Sequence, residues 1–75
     1  MGKLKVISGS KLVRIFEQFG WIEVRRKSSH IIMTKEGEII TLSIPDHEEV
    51  AKGTMRSLIR SAGLTIDEFN EVIDK

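Results

Sequence analysis

The sequence predicts an α+β fold in which three antiparallel strands form a sheet with helices packed on one face. Two observations support this prediction. Apolar residues recur with a helical period near both ends of the chain, and between them lie three short apolar runs separated by turn residues. The predicted order is a helix, three strands, a second helix and a short extra helix at the C-terminus.

The first helix is predicted between two boundary signals. Ser8-Gly9-Ser10 supplies an N-cap signal, and Gly20 supplies a helix stop. Four apolar residues between them recur at intervals of three and four positions: Leu12, Ile15, Phe16 and Phe19. This spacing is typical of an amphipathic helix that covers a sheet.

Three strands are predicted next, over residues 21–27, 30–34 and 39–44. Gly37 lies in the turn before the third strand, where it is free to take a positive φ, and Pro45 ends that strand. A slip of one residue would move every side chain to the other face, so the apolar pattern predicts a register.

A turn at Lys27-Ser28 gives the pairs Val24 with Ile31 and Ile22 with Met33. A turn at Glu36-Gly37 gives Met33 with Ile40 and Ile31 with Leu42. These residues and Ile44 are predicted to form the apolar face of the sheet. The open face is then expected to carry three cross-strand rows: Arg25-His30-Ser43, Glu23-Ile32-Thr41 and Trp21-Thr34-Ile39.

Two helices are predicted after an acidic connection that runs from Asp46 to Ala51. The first extends from about Lys52 to Ala62, with Gly63 as its stop. Thr65 and Glu68 form a capping-box pattern, which predicts a short last helix.

Length and composition narrow the range of functions. A chain of 75 residues forms one domain, residues 1–75, and buries only about 60% of its unfolded surface. It has no cysteine, no dense spacing of metal ligands and no apolar run long enough to span a membrane. The expectation is a soluble intracellular protein without a metal or cofactor.

The N-terminal half of the chain is basic, because residues 1–35 carry eight Lys/Arg against two Glu. This half either binds a polyanion or is ordinary solvated surface.

His30 is the main candidate for chemistry. It follows Arg25, Lys27, Ser28 and Ser29 at the predicted start of a strand, with Arg25 as its expected cross-strand neighbour. Histidine changes charge near neutral pH, so it is able to transfer a proton. The neighbouring cations would bind a phosphate, and the small serine hydroxyls would let that phosphate come close to the imidazole. The alternative is that His30 is a half-exposed histidine in a strand with no functional role.

Two further residues have competing interpretations. His47 follows Pro45-Asp46 at the same end of the sheet and is a second candidate acid or base. Ordinary turn chemistry, with Asp46 and His47 satisfying backbone groups, is the favoured interpretation. Trp21 is able to stack a nucleotide base, but packing against the edge of the sheet is favoured.

Several motifs resemble the HicA toxin family. They are Lys27-Ser28-Ser29-His30, Ile44-Pro45-Asp46-His47 and the run from Lys52-Gly53-Thr54 through Arg56-Ser57 to Ala62-Gly63-Leu64. Ser8-Gly9-Ser10-Lys11 and Phe19-Gly20-Trp21 are also similar to the family's first helix and strand. Ser28 departs from the pattern, because the family usually has glycine there. Glycine permits a positive φ that costs more for serine.

The resemblance implies a double-stranded-RNA-binding-domain-like fold and a cytoplasmic endoribonuclease of a HicAB toxin–antitoxin system. Such an enzyme cuts single-stranded mRNA without a metal, with His30 as general acid/base, and a HicB-type antitoxin covers the active site. Ile32, Ile39 and Trp21 are the expected antitoxin footprint on the open face. The alternative is a non-catalytic RNA-binding module of the same fold, whose RNA affinity falls steeply with salt.

Overall fold

The chain follows the predicted order of elements in the computed structural model, which describes residues 3–73. The elements are α1 (Gly9–Glu17), β1 (Ile22–Lys27), β2 (His30–Thr34), β3 (Leu42–Pro45), α2 (Lys52–Ser61) and α3 (Ile66–Ile73). Both strand pairs are antiparallel, and the strand order in the sheet is β1-β2-β3. The α+β prediction is confirmed.

Burial alternates along the two strands that carry the core face of the sheet. Ile31 and Met33 of β2 and Leu42 and Ile44 of β3 are buried, whereas the residues between them are exposed or half-buried. The buried side chains join one cluster with the apolar faces of the helices. The sheet therefore has a helix-covered face and an open face, as predicted.

Trp21 belongs to the core. Its exposed fraction is only 1%, so the favoured prediction of packing is confirmed. Its predicted position in a row on the open face is wrong. A tryptophan at this depth does not offer its ring for stacking on a base.

The register between β2 and β3 differs from the predicted one by two residues. Met33 pairs with Leu42 rather than Ile40, and Ile31 pairs with Ile44 rather than Leu42. Residues 35–41 form a longer connection, so β3 begins at Leu42 instead of Ile39. A shift of two keeps each side chain on its face, so the apolar pattern alone does not distinguish the two registers.

The register between β1 and β2 differs for another reason. The turn is Ser28–Ser29 rather than Lys27-Ser28, and the pairing shifts between Glu23 and Arg25. Val24 is the extra residue of a β-bulge, so the residues before it, Ile22 and Glu23, occupy the faces opposite to those predicted. Ile22 and Val24, predicted on the apolar face, are 61% and 53% exposed.

Side chains cap two of the three helices. The Ser8 hydroxyl accepts a hydrogen bond from the Lys11 amide at 3.1 Å. The predicted capping box is confirmed, because the Thr65 amide donates to Glu68 at 2.8 Å and the Glu68 amide donates to Thr65 at 3.1 Å. Ala51 precedes α2 without a side-chain cap. These caps set the residues at which α1 and α3 begin.

Candidate active site

His30 is the first residue of β2 and lies on the open face of the sheet. Its neighbour Ile31 is fully buried, whereas His30 is exposed. The cross-strand partners of His30 are Lys27 of β1 and Pro45 of β3. Directly opposite residues have Cβ atoms about 4.5–5.5 Å apart on the same face, so the ammonium of Lys27 is the cation nearest in register to the imidazole.

The predicted neighbour Arg25 is one row away. It pairs with Ile32, which in turn pairs with Ser43. The row Arg25-His30-Ser43 is therefore wrong, and the rows are Lys27-His30-Pro45 and Arg25-Ile32-Ser43. The later β1–β2 turn and the longer connection between β2 and β3 each shift the pairing by two residues, which accounts for the difference. Both cations remain on the face that carries His30.

Ser28 and Ser29 form the two-residue turn directly before His30. Ser28 has φ of 56°, and Ser29 is not among the positive-φ residues of the part of the chain described. A positive φ at the first turn position only is the φ pattern of a type II′ turn, which favours glycine at that position. Both serines are exposed, so their hydroxyls are accessible next to the imidazole.

Arg26 and Asp46 lie beside this turn and form an ion pair that the sequence interpretation did not predict. Nη1 of Arg26 donates to Oδ2 of Asp46 at 3.0 Å, and Nε of Arg26 donates to Glu23 at 3.2 Å. The Asp46 amide donates to the Ser29 carbonyl oxygen at 2.7 Å. Arg26 and Asp46 are 20 positions apart in the chain, so no local sequence signal indicated this pair.

His47 is exposed and lies two residues beyond Pro45, the partner of His30. Its carbonyl oxygen accepts a hydrogen bond from the Gly9 amide at 2.9 Å, which fixes the backbone against the start of α1. A Cβ on Gly9 would overlap the Pro45 carbonyl oxygen.

Within residues 3–73 neither the His30 nor the His47 imidazole forms a hydrogen bond or an ion pair.

The arrangement offers three chemical capabilities on one exposed surface. Lys27 and Arg25 supply positive charge for an anion, the Ser28–Ser29 turn supplies hydroxyl groups, and His30 supplies an imidazole that is able to accept or donate a proton. No cluster of three His, Asp or Glu side chains with the geometry of a metal site occurs among residues 3–73. In the same range, no helix is long and apolar enough to cross a membrane.

Comparison with known families gives one match that covers most of the chain. Residues 9–64 match the model of a family described as the HicA toxin of bacterial toxin–antitoxin systems. The matched segment includes α1, the whole sheet and α2, and therefore every candidate site residue named above. A comparison with curated proteins gave no match.

Among solved structures, the chain is similar to one described as a toxin–antitoxin complex from Streptococcus pneumoniae. The two chains share 37% sequence identity, and their superposition has a TM-score of 0.70. The match covers 77% of this chain and 98% of the other. Identity at this level, over most of both chains, agrees with the family match.

Proposed function

Because the chain belongs to the HicA toxin family, we propose that it is the toxin of a HicAB-type toxin–antitoxin system and an endoribonuclease that cleaves mRNA without a metal ion. The observation that carries the proposal is the pairing of exposed His30 with Lys27 on the open face. Both residues lie within the segment that matches the family. A substrate of this kind implies that the protein works in the cytoplasm.

The proposed reaction uses the 2′-hydroxyl of RNA as an internal nucleophile. Neutral His30 takes the 2′ proton while the 2′ oxygen forms a bond to the adjacent phosphorus and the bond to the 5′ oxygen breaks. Lys27, opposite His30, and Arg25, one row away, stabilise the negative charge that gathers on the phosphoryl oxygens. The products are a 2′,3′-cyclic phosphate and a 5′-hydroxyl.

The leaving 5′ oxygen must receive a proton. His47, Lys27 and water are the candidates for this step. His47 lies at the same end of the sheet, and Lys27 is in the same row as His30. Loss of the general acid slows departure of the 5′ oxygen. A His47→Ala variant that cleaves more slowly than the parent would therefore assign this step to His47.

The central experiment compares the parent with His30→Ala on end-labelled single-stranded RNA in EDTA. We expect cleavage by the parent and a fall of about 10²–10⁴-fold in the variant, because general acid–base catalysis contributes rate factors of that size. The His30 side chain is exposed, so its removal should leave the fold intact. Equal thermal melting of the two proteins is the control.

Three other outcomes would contradict the proposal or part of it. Full activity in His30→Ala would remove His30 from the mechanism. Cleavage that EDTA abolishes would contradict the metal-independent route. If neither protein cleaves RNA but binding weakens steeply with salt, the chain is a non-catalytic RNA-binding module.

A HicB-type antitoxin is the proposed protein partner, and the similar toxin–antitoxin complex supports it. We propose that it covers the open face, where Ile32 is half-buried. Ile39, also predicted in this footprint, lies in the connection over residues 35–41 rather than in a strand, and it is fully exposed. Trp21 no longer belongs to the footprint, because it is buried. A large apolar side chain with no intramolecular cover is typical of an interface.

Ile32→Lys tests the antitoxin footprint. A lysine at this place puts an unpaired charge into a desolvated contact, so we expect antitoxin affinity to fall at least tenfold, measured by calorimetric titration. Thr54→Lys is the matched control, since Thr54 is exposed on α2 in the helix layer. Equal affinities of the two variants would contradict this footprint.

A further inference from the structure

We infer that Asp46 is a positioning residue for His30, which it serves by holding the Ser28–Ser29 turn through its backbone and through an ion pair with Arg26. This inference rests on the proposed function, because it concerns the same imidazole. It adds to that function a pair of residues that do not touch the substrate.

Asp46 contacts both the turn that precedes β2 and the neighbouring strand β1. Asp46 follows Pro45, the β3 partner of His30, and its amide donates to the Ser29 carbonyl oxygen at 2.7 Å. Its carboxylate accepts from Nη1 of Arg26 in β1 at 3.0 Å. The residue directly before His30 and the strand opposite it are thus both tied to the end of β3.

The ion pair and His30 lie on opposite faces of the sheet. Arg26 pairs with Ile31, which is fully buried, whereas Lys27 pairs with exposed His30. Because directly opposite residues share a face, Arg26 belongs to the helix side and Lys27 to the open side. Arg26 is therefore not in a position to bind an RNA phosphate beside the imidazole, although it stands in the same basic run.

The turn needs such support because of Ser28. Its φ of 56° is a conformation that a residue with a side chain adopts only at a cost. Conformations of this kind persist where surrounding contacts hold them. The two contacts of Asp46 supply that hold, and they fix the direction from which His30 leaves the turn.

The solvent exposure of the Arg26–Asp46 ion pair sets the size of its expected effect on kcat. The side chains of Arg26 and Asp46 are 53% and 42% exposed, so their interaction is screened by solvent. Exposed ion pairs shift equilibria by small factors, and the backbone bond to Ser29 survives truncation of the side chain. We therefore expect loss of the pair to lower kcat by about three- to fivefold rather than to abolish cleavage.

The test compares Arg26→Ala, Asp46→Ala and a charge-swapped double variant, Arg26→Asp with Asp46→Arg. Both single variants should lower kcat with KM nearly unchanged, and the swap should recover most of the loss. Lys27→Ala is the comparison variant for a residue on the open face: because Lys27 is proposed to contact the phosphate and to stabilise its charge, its loss should lower kcat and also raise KM. Backbone order parameters of Ser28, Ser29 and His30 provide a readout that does not depend on activity.

The outcomes separate this inference from the proposed function. If Arg26→Ala raises KM and the swap does not recover activity, Arg26 binds RNA and the inference is overturned. Unchanged order parameters in both single variants would also overturn it. If the parent does not cleave RNA, the proposed function fails, while the order parameters still decide whether the Arg26–Asp46 pair holds His30.

Discussion

Ser28 carries a backbone conformation that its own side chain disfavours. Among residues 3–73 it is the one residue other than glycine with a positive φ, 56°. Left-handed backbone costs an L residue about 1–2 kcal/mol, and glycine avoids the clash but loses more freedom on folding. We expect Ser28→Gly to raise the free energy of unfolding by about 0.5–1 kcal/mol, measured by urea denaturation.

Gly37→Ala is the control for this prediction. Gly37 has φ of 87°, and a Cβ there would meet no atom within 4 Å. Any loss of stability is thus a backbone effect, expected at about 1 kcal/mol. If Gly37→Ala destabilises the protein while Ser28→Gly leaves it unchanged, the serine at position 28 is relaxed and the cost assigned to it is wrong.

For His30, the sequence predicted the exposure of the side chain correctly but not its cross-strand partner. His30 lies at the start of a strand and on the open face, as expected, because Ile31 and Met33 must face the core. The predicted partner Arg25 was wrong, because the turn lies one position later than predicted and shifts the pairing next to it by two residues. Ile22 was placed on the wrong face because the bulge at Val24 interrupts the pairing. No composition signal marks a bulge in an edge strand whose side chains are all exposed.

At the scale of elements, the close approach of α1 to the end of β3 depends on Gly9. A Cβ there would overlap the Pro45 carbonyl oxygen, and the Gly9 amide donates to the His47 carbonyl oxygen. Added volume at a close contact typically costs about 1–3 kcal/mol. We expect Gly9→Ala to lower the free energy of unfolding by that amount in thermal or urea unfolding.

Gly53→Ala is the matched helical control, because a Cβ at Gly53 meets no atom within 4 Å. It should raise the stability of α2 by about 0.5–1 kcal/mol, the ordinary preference for alanine over glycine in a helix. A Gly9→Ala variant that gains stability as Gly53→Ala does would show that α1 is able to move away from Pro45 without cost.

The helices were more predictable than the strands. Capping residues and apolar spacing are local signals, and the Thr65–Glu68 box is present as expected. Strand pairing depends on residues far apart in the chain, and a two-residue shift preserves every face. For that reason the start of β3 and the long connection over residues 35–41 were not predicted, whereas the faces of β2 and β3 were.

At the scale of the whole molecule, the sheet separates stability from chemistry. The helices bury one face, and the candidate site occupies the other. The sequence predicted this separation from the alternation of apolar residues. The short last helix, α3, also packs on the core, because its Phe69 is fully buried.

The packing of α3 against α1 leads to a prediction about the stability of the whole fold. The family match ends at Leu64, before α3 begins, yet the rings of Phe69 and Phe16 lie 5.9 Å apart between α3 and α1. Truncation of a buried phenylalanine costs about 3–5 kcal/mol, a large share of the stability of a small domain. We expect Phe69→Ala to lower the free energy of unfolding by that amount in urea denaturation.

Phe19→Ala is the control for the role of α3, because Phe19 is only partly buried against the same core. It should cost clearly less than Phe69→Ala, since less apolar surface returns to water. Equal losses would mean that α3 is no more than a peripheral cover. The larger loss at Phe69 would make α3 a required part of the fold that presents His30, because the core it completes is the same one that supports β2.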